Sequence, residues 1–428
     1  MCGPGLGGGA TMTGAATPLR CRACGGGDIR TILDLGALPL ANRLPLTSKE
    51  PEERFPLVVA VCRDCRLVQL DHGIPPETIF ADYPYFSSCS TSWVEHARHF
   101  AHTAAQRLAL GPSSLVVEIA SNDGYLLRHF QAIGVPVLGI EPSTTVAAAA
   151  RAIGIPTDGR YFGAGTARSL REAGPPPDLV VANNVLAHVP DLDDFLSGLA
   201  LLLENSGGVL SCEFPHLLRL IKGVQFDTIY HEHFSYFSLL SLERAMKRHG
   251  LVVFDLEELP THGGSLRLWV RHSATTGTET APRSDGLARI HAAEAAAGLD
   301  RDEIYDNFAA TVRRCITDLR GFLDVAAANG QRVAAYGAAA KGATLLGACG
   351  VTARDIVFVA DINPHKQGRS LPGTGIPIVS PDRIFAEKPD RILILPWNLR
   401  EEIMDQLSGI RAWGGRFVVP IPHVAELV

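Results

Sequence analysis

"SLVVEIASNDGYLLRHF", residues 114–130, decides the fold. An apolar run enters a short polar turn ending on Gly124, and a helical pattern follows, so the stretch reads as strand, tight turn and helix. "VPVLGIEPS" (135–143) reads as the next strand, ending on Glu141. "PDLVVANNVLAHVPD" (177–191) and "GGVLSCEFP" (207–215) supply two more, and "LVVFDLEELPTHGGSLRLWVRH" (251–272) reads as two late strands about a "THGGS" turn. Strands alternating with helical patterns mark a parallel sheet. The order recurs downstream. "RVAAYGAAAKGATLL" (332–346) is again strand, Gly turn and helix, "IVFVADINPHKQGR" (356–369) ends a strand on Asp361, and "RILILPWNLREEI" (391–403) and "GRFVVPIP" (415–422) follow.

The chain has 428 residues, 46% of them apolar, which is long for one core. Net charge is −6 with both signs dispersed, so no polybasic surface for nucleic acid or anionic membrane is expected. No apolar run approaches the roughly 20 residues of a spanning helix. The first 20 residues lack a basic start and an apolar core, and read as a tail, not a signal peptide. A cytoplasmic location with reduced thiols is expected.

"CRAC" and "CRDC" place Cys21, Cys24, Cys62 and Cys65 as two C-x2-C knuckles with 37 residues between them. Each knuckle turns two sulfurs onto one ion, and four thiolates close a tetrahedral zinc site with no position left for water. The ion is therefore structural, and something must fold between the knuckles. The fold class that emerges is α/β, two Rossmann-like doubly wound domains preceded by a small zinc-binding domain. The expected boundaries are a tail at 1–20, zinc binding at 21–85, a cofactor-binding domain at 86–283, a helical connector at 284–329 and a second Rossmann-like domain at 330–428.

In the first Rossmann-like unit the turn positions that a dinucleotide fingerprint fills with glycine hold Ala120, Asn122 and Gly124. That departure, with Glu118 in the strand and Glu141 at the next strand tip to take ribose hydroxyls, fits S-adenosylmethionine, which has no phosphate. Asn183, Asn184 and His188 should face the crevice at the carboxyl ends of the strands. In the second unit Gly337, Lys341 and Gly342 sit at a strand-to-helix turn suited to phosphate, with Arg369 and Asn398 as further contacts.

"YHEHFSYFS" (230–238) concentrates titratable rings. Read as a strand, it puts His231 and His233 on one face, a weak metal site. Read as acid/base machinery, it supplies a base and its helpers. Read plainly, it is an aromatic loop.

The two C-x2-C pairs, "ADYPYFSS", "SNDG", "GIEPS", "NNVLAHVPD", "YHEHFSYFS" and "AAYGAAAKGATLL", in this order, resemble the sugar-nucleotide C-methyltransferases of antibiotic deoxysugar pathways, over essentially the whole chain beyond residue 20. The resemblance implies methyl transfer from S-adenosylmethionine to C-3 of a dTDP-4-keto-6-deoxy sugar. It implies His233 as the base, with His231 its competitor, and Glu232, Tyr230 and Tyr83 managing the enolate and the proton. His188 and Asn184 would hold the sugar, and the last domain its nucleotide diphosphate. A small-molecule substrate, no nucleic-acid or membrane partner and a monomeric state are expected. The alternatives are an O- or N-methyltransferase acting on a sugar or natural product, and a zinc-ribbon nucleic-acid methyltransferase.

Overall fold

The computed structural model describes residues 19–47, 49–75, 78–79, 86–275 and 284–427. The tail read at 1–20 falls almost wholly outside them, and so does Tyr83. Three sheets organise the chain. The first begins with β1 (Ile29–Leu38), β2 (Phe55–Cys62) and β3 (Val68–Leu70), each antiparallel to the next. β1, the loop after it and β2 are what folds between the knuckles.

The second sheet takes β4 (Val116–Ile119), β5 (Val137–Ile140), β6 (Thr157–Asp158), β7 (Leu179–Val181) and β8 (Val209–Pro215). β9 (Ser235–Tyr236) leaves this unit and pairs with β3, completing the first sheet in the order β1-β2-β3-β9. β10 (Leu251–Leu259) and β11 (Ser265–His272) return to the second sheet, giving β10-β11-β8-β7-β4-β5-β6, parallel from β8 to β6. β4 is buried along its whole length, as a strand covered by helices on both faces must be.

The third sheet contains β12 (Val333–Tyr336), β13 (Val359–Ala360), β14 (Ser370–Leu371), β15 (Ile376–Val379), β16 (Arg391–Ile394), β17 (Arg416–Val419) and β18 (Ala425–Leu427). Its order is β14-β15-β13-β12-β16-β17-β18, parallel except at the two edges. The second sheet reverses direction between β4 and β7, and the third between β12 and β16. Open α/β sheets bind ligands beyond the carboxyl ends of the strands at such reversals. The fold thus provides two crevices. Among the described residues no helix is long and apolar enough to cross a membrane.

Helices Asp285–Ala297 and Glu303–Ala328 link the second sheet to the third. One buried apolar cluster joins Leu57 and Val59 of β2, Phe226 and Ile229, Tyr305, Val312 and Leu319 of the long helix, and Ala335 and Leu345 of the last unit. The first and third sheets therefore share a core with residues 217–229 and the long helix, while strands of the second sheet pack with Cys62 and Leu67 of the zinc-binding unit in a separate cluster.

The first connector helix is also fastened by one carboxylate. Glu294, 2% exposed, accepts from His216 Nε2 at 2.7 Å and from the backbone N–H groups of Leu239 and Leu240 at 2.7 and 2.9 Å. Those amides open helix Leu239–Arg248, where a negative charge is favoured by the helix dipole. Glu294→Ala strands three buried donors and is expected to destabilise the protein by about 3 kcal/mol or more in urea melts. Glu294→Gln, which keeps an acceptor, should lose less.

Candidate active site and metal centre

The four cysteine sulfurs lie within 4.8 Å of one another. Cys21 and Cys65 Sγ are 3.4 Å apart, and Cys24 and Cys62 Sγ are 3.6 Å apart. A tetrahedron with Zn–S bonds of about 2.3 Å has edges of about 3.8 Å, so the donor set and its spacing fit zinc. Among the described residues this is the one such cluster.

The turn after β4 has the shape a cofactor needs. Ala120, Asn122 and Gly124 all adopt left-handed backbone, with φ of 54°, 51° and 77°. The sequence reading placed the helix opening at Gly124. The helix starts at Leu127 instead, because these left-handed residues spread the turn over three more positions. Glu141 closes the turn, its two oxygens accepting from Asn122 N at 3.0 Å and Ser143 N at 2.8 Å. Around it Glu118 Oε2, Ser121 Oγ, Asp123 Oδ1 and Asn183 Oδ1 are buried with no hydrogen-bond partner. Buried polar atoms are almost always satisfied, so this group could hold a polar ligand, and its donor and acceptor set fits S-adenosylmethionine. Burial, and then the neighbouring Glu141 and Asp123, push the Glu118 carboxyl well above its usual range.

Asn184 has φ of 57°, donates its backbone N–H to Glu213 O, and keeps both side-chain polar atoms buried without a partner. Glu213 lies beneath this crevice. It accepts from Arg267 NH2 at 2.8 Å, Thr261 Oγ1 at 2.9 Å and His96 Nε2 at 3.0 Å. Burial alone would raise its carboxyl, but the His96 hydrogen bond and the Arg267 guanidinium outweigh it and hold it at about 2.

The 230–238 stretch is a turn, not the strand that its metal reading required, and only Ser235–Tyr236 forms a strand. It is tied on three sides. Phe234 N donates to Ala187 O at 2.7 Å, Phe234 O accepts from Leu70 N at 3.0 Å, and Tyr236 pairs with Val68. The turn sends its two histidines different ways, which removes the shared face of the metal reading. His231 bonds Phe55 O through Nε2 at 3.2 Å, and its Nδ1 is buried with no partner. His233 donates Nδ1–H to Thr228 O at 2.8 Å, so its neutral ring carries the lone pair on Nε2. Its ring lies 4.0 Å from Tyr230 and 4.8 Å from His188, centroid to centroid. His188 donates its own Nδ1–H to Glu232 O at 2.8 Å. Burial lowers His188 to about 4. Burial, and then His188, lower His233 well below 6.5. Both rings are neutral at pH 7. Burial raises the Glu232 carboxyl to about 7.

The last unit repeats the acid clamp. Asp361, after β13, accepts from Ala338 N and Asn363 N, both at 2.8 Å. Gly337 has φ of 92°, and a Cβ there would meet Pro396 at 2.5 Å. Lys341 does not stay at its own turn. Its Nζ lies 3.3 Å from Asn398 Oδ1 and 4.8 Å from the Trp397 ring centroid, and Trp397 Nε1 donates to Asp227 Oδ2 at 2.7 Å. Lys366 is the ammonium beside Gly337, 2.8 Å from Ala338 O. Arg369 is spent on Leu44 O.

Sequence reasoning missed Asp227, Trp397, Lys366 and Asn42, whose Nδ2 lies 2.7 and 2.8 Å from the two Glu232 oxygens. It also read His262 as a mere turn residue. His262 sits in left-handed backbone, φ 53°, against Trp93 at 5.3 Å. A non-glycine residue in strained backbone beside a crevice was the signal available for it, and only the structure shows it.

Residues 21–80 match the family model of a putative zinc binding domain, 93–256 that of a methyltransferase domain, and 260–422 that of a C-methyltransferase C-terminal domain. The chain is 37% identical over 405 residues to the C-methyltransferase NovU of Streptomyces niveus, covering 94% of this chain and 95% of that one. Among solved structures, the magnesium protoporphyrin IX methyltransferase of Synechocystis PCC 6803 with bound S-adenosylmethionine is 17% identical, covering 46% of this chain and 88% of that chain at a TM-score of 0.31. The PH0226 protein of Pyrococcus horikoshii OT3 is 14% identical at a TM-score of 0.36, covering 45% and 97%. Likeness at these scores bears no weight on function.

Two outcomes test the zinc site and the buried Glu213 carboxylate. Stripping zinc with a chelator is expected to unfold the first sheet and free the turn tied to it through β9, while the cofactor still binds the second sheet. Thermal melts beside a calorimetric S-adenosylmethionine titration read both, and an unchanged melt argues against a structural ion. The second concerns Glu213. Its folded value of about 2 lies below the ordinary 4.5, so its stabilisation, on the order of 3 kcal/mol, is fully present above pH 4.5 and is lost as pH falls towards 2. The stability gap between wild type and Glu213→Gln should therefore shrink over that range in urea melts followed by tryptophan fluorescence.

Proposed function

Since the chain belongs to the zinc-containing, S-adenosylmethionine-dependent C-methyltransferases, we propose that it methylates C-3 of a dTDP-4-keto-6-deoxy sugar in a deoxysugar pathway. The observation that carries this reading is the state of His233. Its ring is neutral, its tautomer is fixed by Thr228 O, and its basic Nε2 belongs to a ring packed against Tyr230 and His188.

A C–H bond beside a ketone is removed when a base is in reach and the developing enolate oxygen is stabilised. His233 Nε2 takes the C-3 proton and becomes imidazolium. The electron pair from the C–H bond moves into the enolate. Tyr230 and Glu232, with Tyr83, orient the sugar and balance charge on the O-4 oxygen. His188 and Asn184 hold its polar groups. S-adenosylmethionine, when bound there, would supply an electrophilic sulfonium methyl to the C-3 carbon, the electron pair of the broken S–CH3 bond staying on sulfur as S-adenosylhomocysteine leaves. Glu118, Ala120, Asn122, Gly124, Glu141 and Asn183 seat that cofactor, consistent with the unpartnered atoms gathered there. Gly337 and Asn398 receive the nucleotide diphosphate, and Lys341 lies between the two crevices, where its charge serves the phosphates and the reacting sugar alike. The substrate is a small molecule, and the setting we propose is cytoplasmic, with the chain working as a monomer.

His233 is favoured over His231 because His231 is committed to Phe55 O and its remaining nitrogen is buried. The test is deuterium incorporation from heavy water into a dTDP-4-keto-6-deoxy sugar without cofactor. Label at C-3 in wild type, with a fall of about 100-fold or more in His233→Ala and a much smaller one in His231→Ala, is the expected outcome. With cofactor added, a methyl on oxygen or nitrogen replaces this reading by an O- or N-methyltransferase. No product from any 4-keto sugar overturns the substrate class.

A further inference from the structure

Asn42 comes from the zinc-binding unit, in the loop between β1 and β2, and donates one Nδ2 to both carboxylate oxygens of Glu232. We infer that Asn42 is a positioning residue for the reaction, holding the Glu232 carboxylate in one orientation and supporting its ionised form, so that the zinc-binding unit contributes to the chemistry and is not merely a cover. This rests on the role proposed above for Glu232.

The two residues differ in setting. Glu232 is 3% exposed, whereas Asn42 is exposed. A carboxyl so enclosed favours its neutral form, and burial is the effect that raises it, with the Asn42 hydrogen bond opposing. Asn42 is the one side chain hydrogen-bonded to the carboxylate among the described residues, and His188 holds the Glu232 backbone carbonyl through Nδ1–H. Residue type matters here. A lysine or arginine in place of Asn42 would hold Glu232 ionised at every working pH. An amide supports the anion without charge, leaving a carboxyl that accepts and returns a proton near neutrality. The geometry also gives the zinc site a route to the chemistry. Cys62 ends β2, the first residue of β2 is Phe55, and Phe55 O holds His231 next to Glu232.

The test titrates Glu232 directly. Zinc-loaded, full-length protein labelled with carboxyl-13C glutamate is followed by NMR against pH, the Glu232 signal being assigned by its loss in Glu232→Gln. Wild type should titrate near 7, and Asn42→Ala should titrate about one unit or more higher. Asn42→Asp, which adds a like charge, should go higher still. Bound zinc and thermal melts certify folding, and Asn42→Leu, which keeps the size and removes the donor, replaces the alanine variant if that variant fails to fold. Midpoints unchanged in both the Ala or Leu variant and the Asp variant overturn the inference. The pH profile of deuterium exchange at C-3 should move up in parallel. A shifted titration with no exchange in wild type refutes the proposed reaction instead, which separates the two failures.

Discussion

The backbone of Phe234 is the hinge pin of this protein. Its N–H is held by Ala187, beyond β7 of the cofactor-binding sheet, and its carbonyl holds Leu70 of the zinc-binding sheet. Those two hydrogen bonds, continued by the pairing of β9 with β3, fix a nine-residue aromatic turn where two domains meet. Buried backbone groups must be paired, so this turn cannot drift without stranding donors from both domains. The zinc ion steadies the first sheet, and the first sheet in turn steadies the histidines.

Both doubly wound units solve the same problem with the same device. An acid at the tip of the second strand, Glu141 in one and Asp361 in the other, accepts two backbone N–H groups and shapes the turn after the first strand. Such a carboxylate preorganises the loop that a ligand approaches, and its remaining lone pairs stay available for hydroxyl groups. The units diverge across the crevice, at the tip of the strand on the other side of the first. After β7 come Asn183 and Asn184, with unpartnered polar atoms. After β16 come Trp397 and Asn398, which engage Asp227 and Lys341. Burial pushes Asp227 up to about 6, against the pull of the Lys341 charge and the Trp397 indole. The two crevices are thereby joined through residues 226–233.

The electrostatics of the turn follow from its enclosure. Desolvation disfavours charge of either sign, so His188 and His233 are held neutral and Glu232 is brought towards neutrality. A solvent-exposed histidine would be partly protonated at pH 7 and its lone pair lost in proportion. Here the carbonyl of Thr228 fixes the tautomer and burial keeps the lone pair available. The histidine is a weaker base than in water, because burial disfavours its charged form.

The sequence by itself determined the α/β class, the repeated strand–turn–helix units and the four clustered cysteines of the zinc-binding unit. Those are local facts. Sulfur spacing and apolar runs are written within a few residues of each other, whereas the left-handed backbone at Ala120, Asn122 and Gly124 appeared only in the structure. "YHEHFSYFS" stood out as a concentration of titratable rings, and the resemblance named His233, but the strand on which its metal reading rested does not form, because the hydrogen bonds of Phe234 to Ala187 and Leu70 set the course of the segment. Asn42 carried no local signal, since it meets Glu232 across 190 positions of chain. Lys341 was placed at the strand-to-helix turn; it lies in the helix Ala340–Ala348 that follows, and its side chain is drawn to Trp397 and Asn398. Which histidine keeps a usable nitrogen, which carboxyl sits near neutrality and which domain holds it were decided only by tertiary structure, because those properties come from desolvation and from hydrogen bonds between residues far apart in the chain.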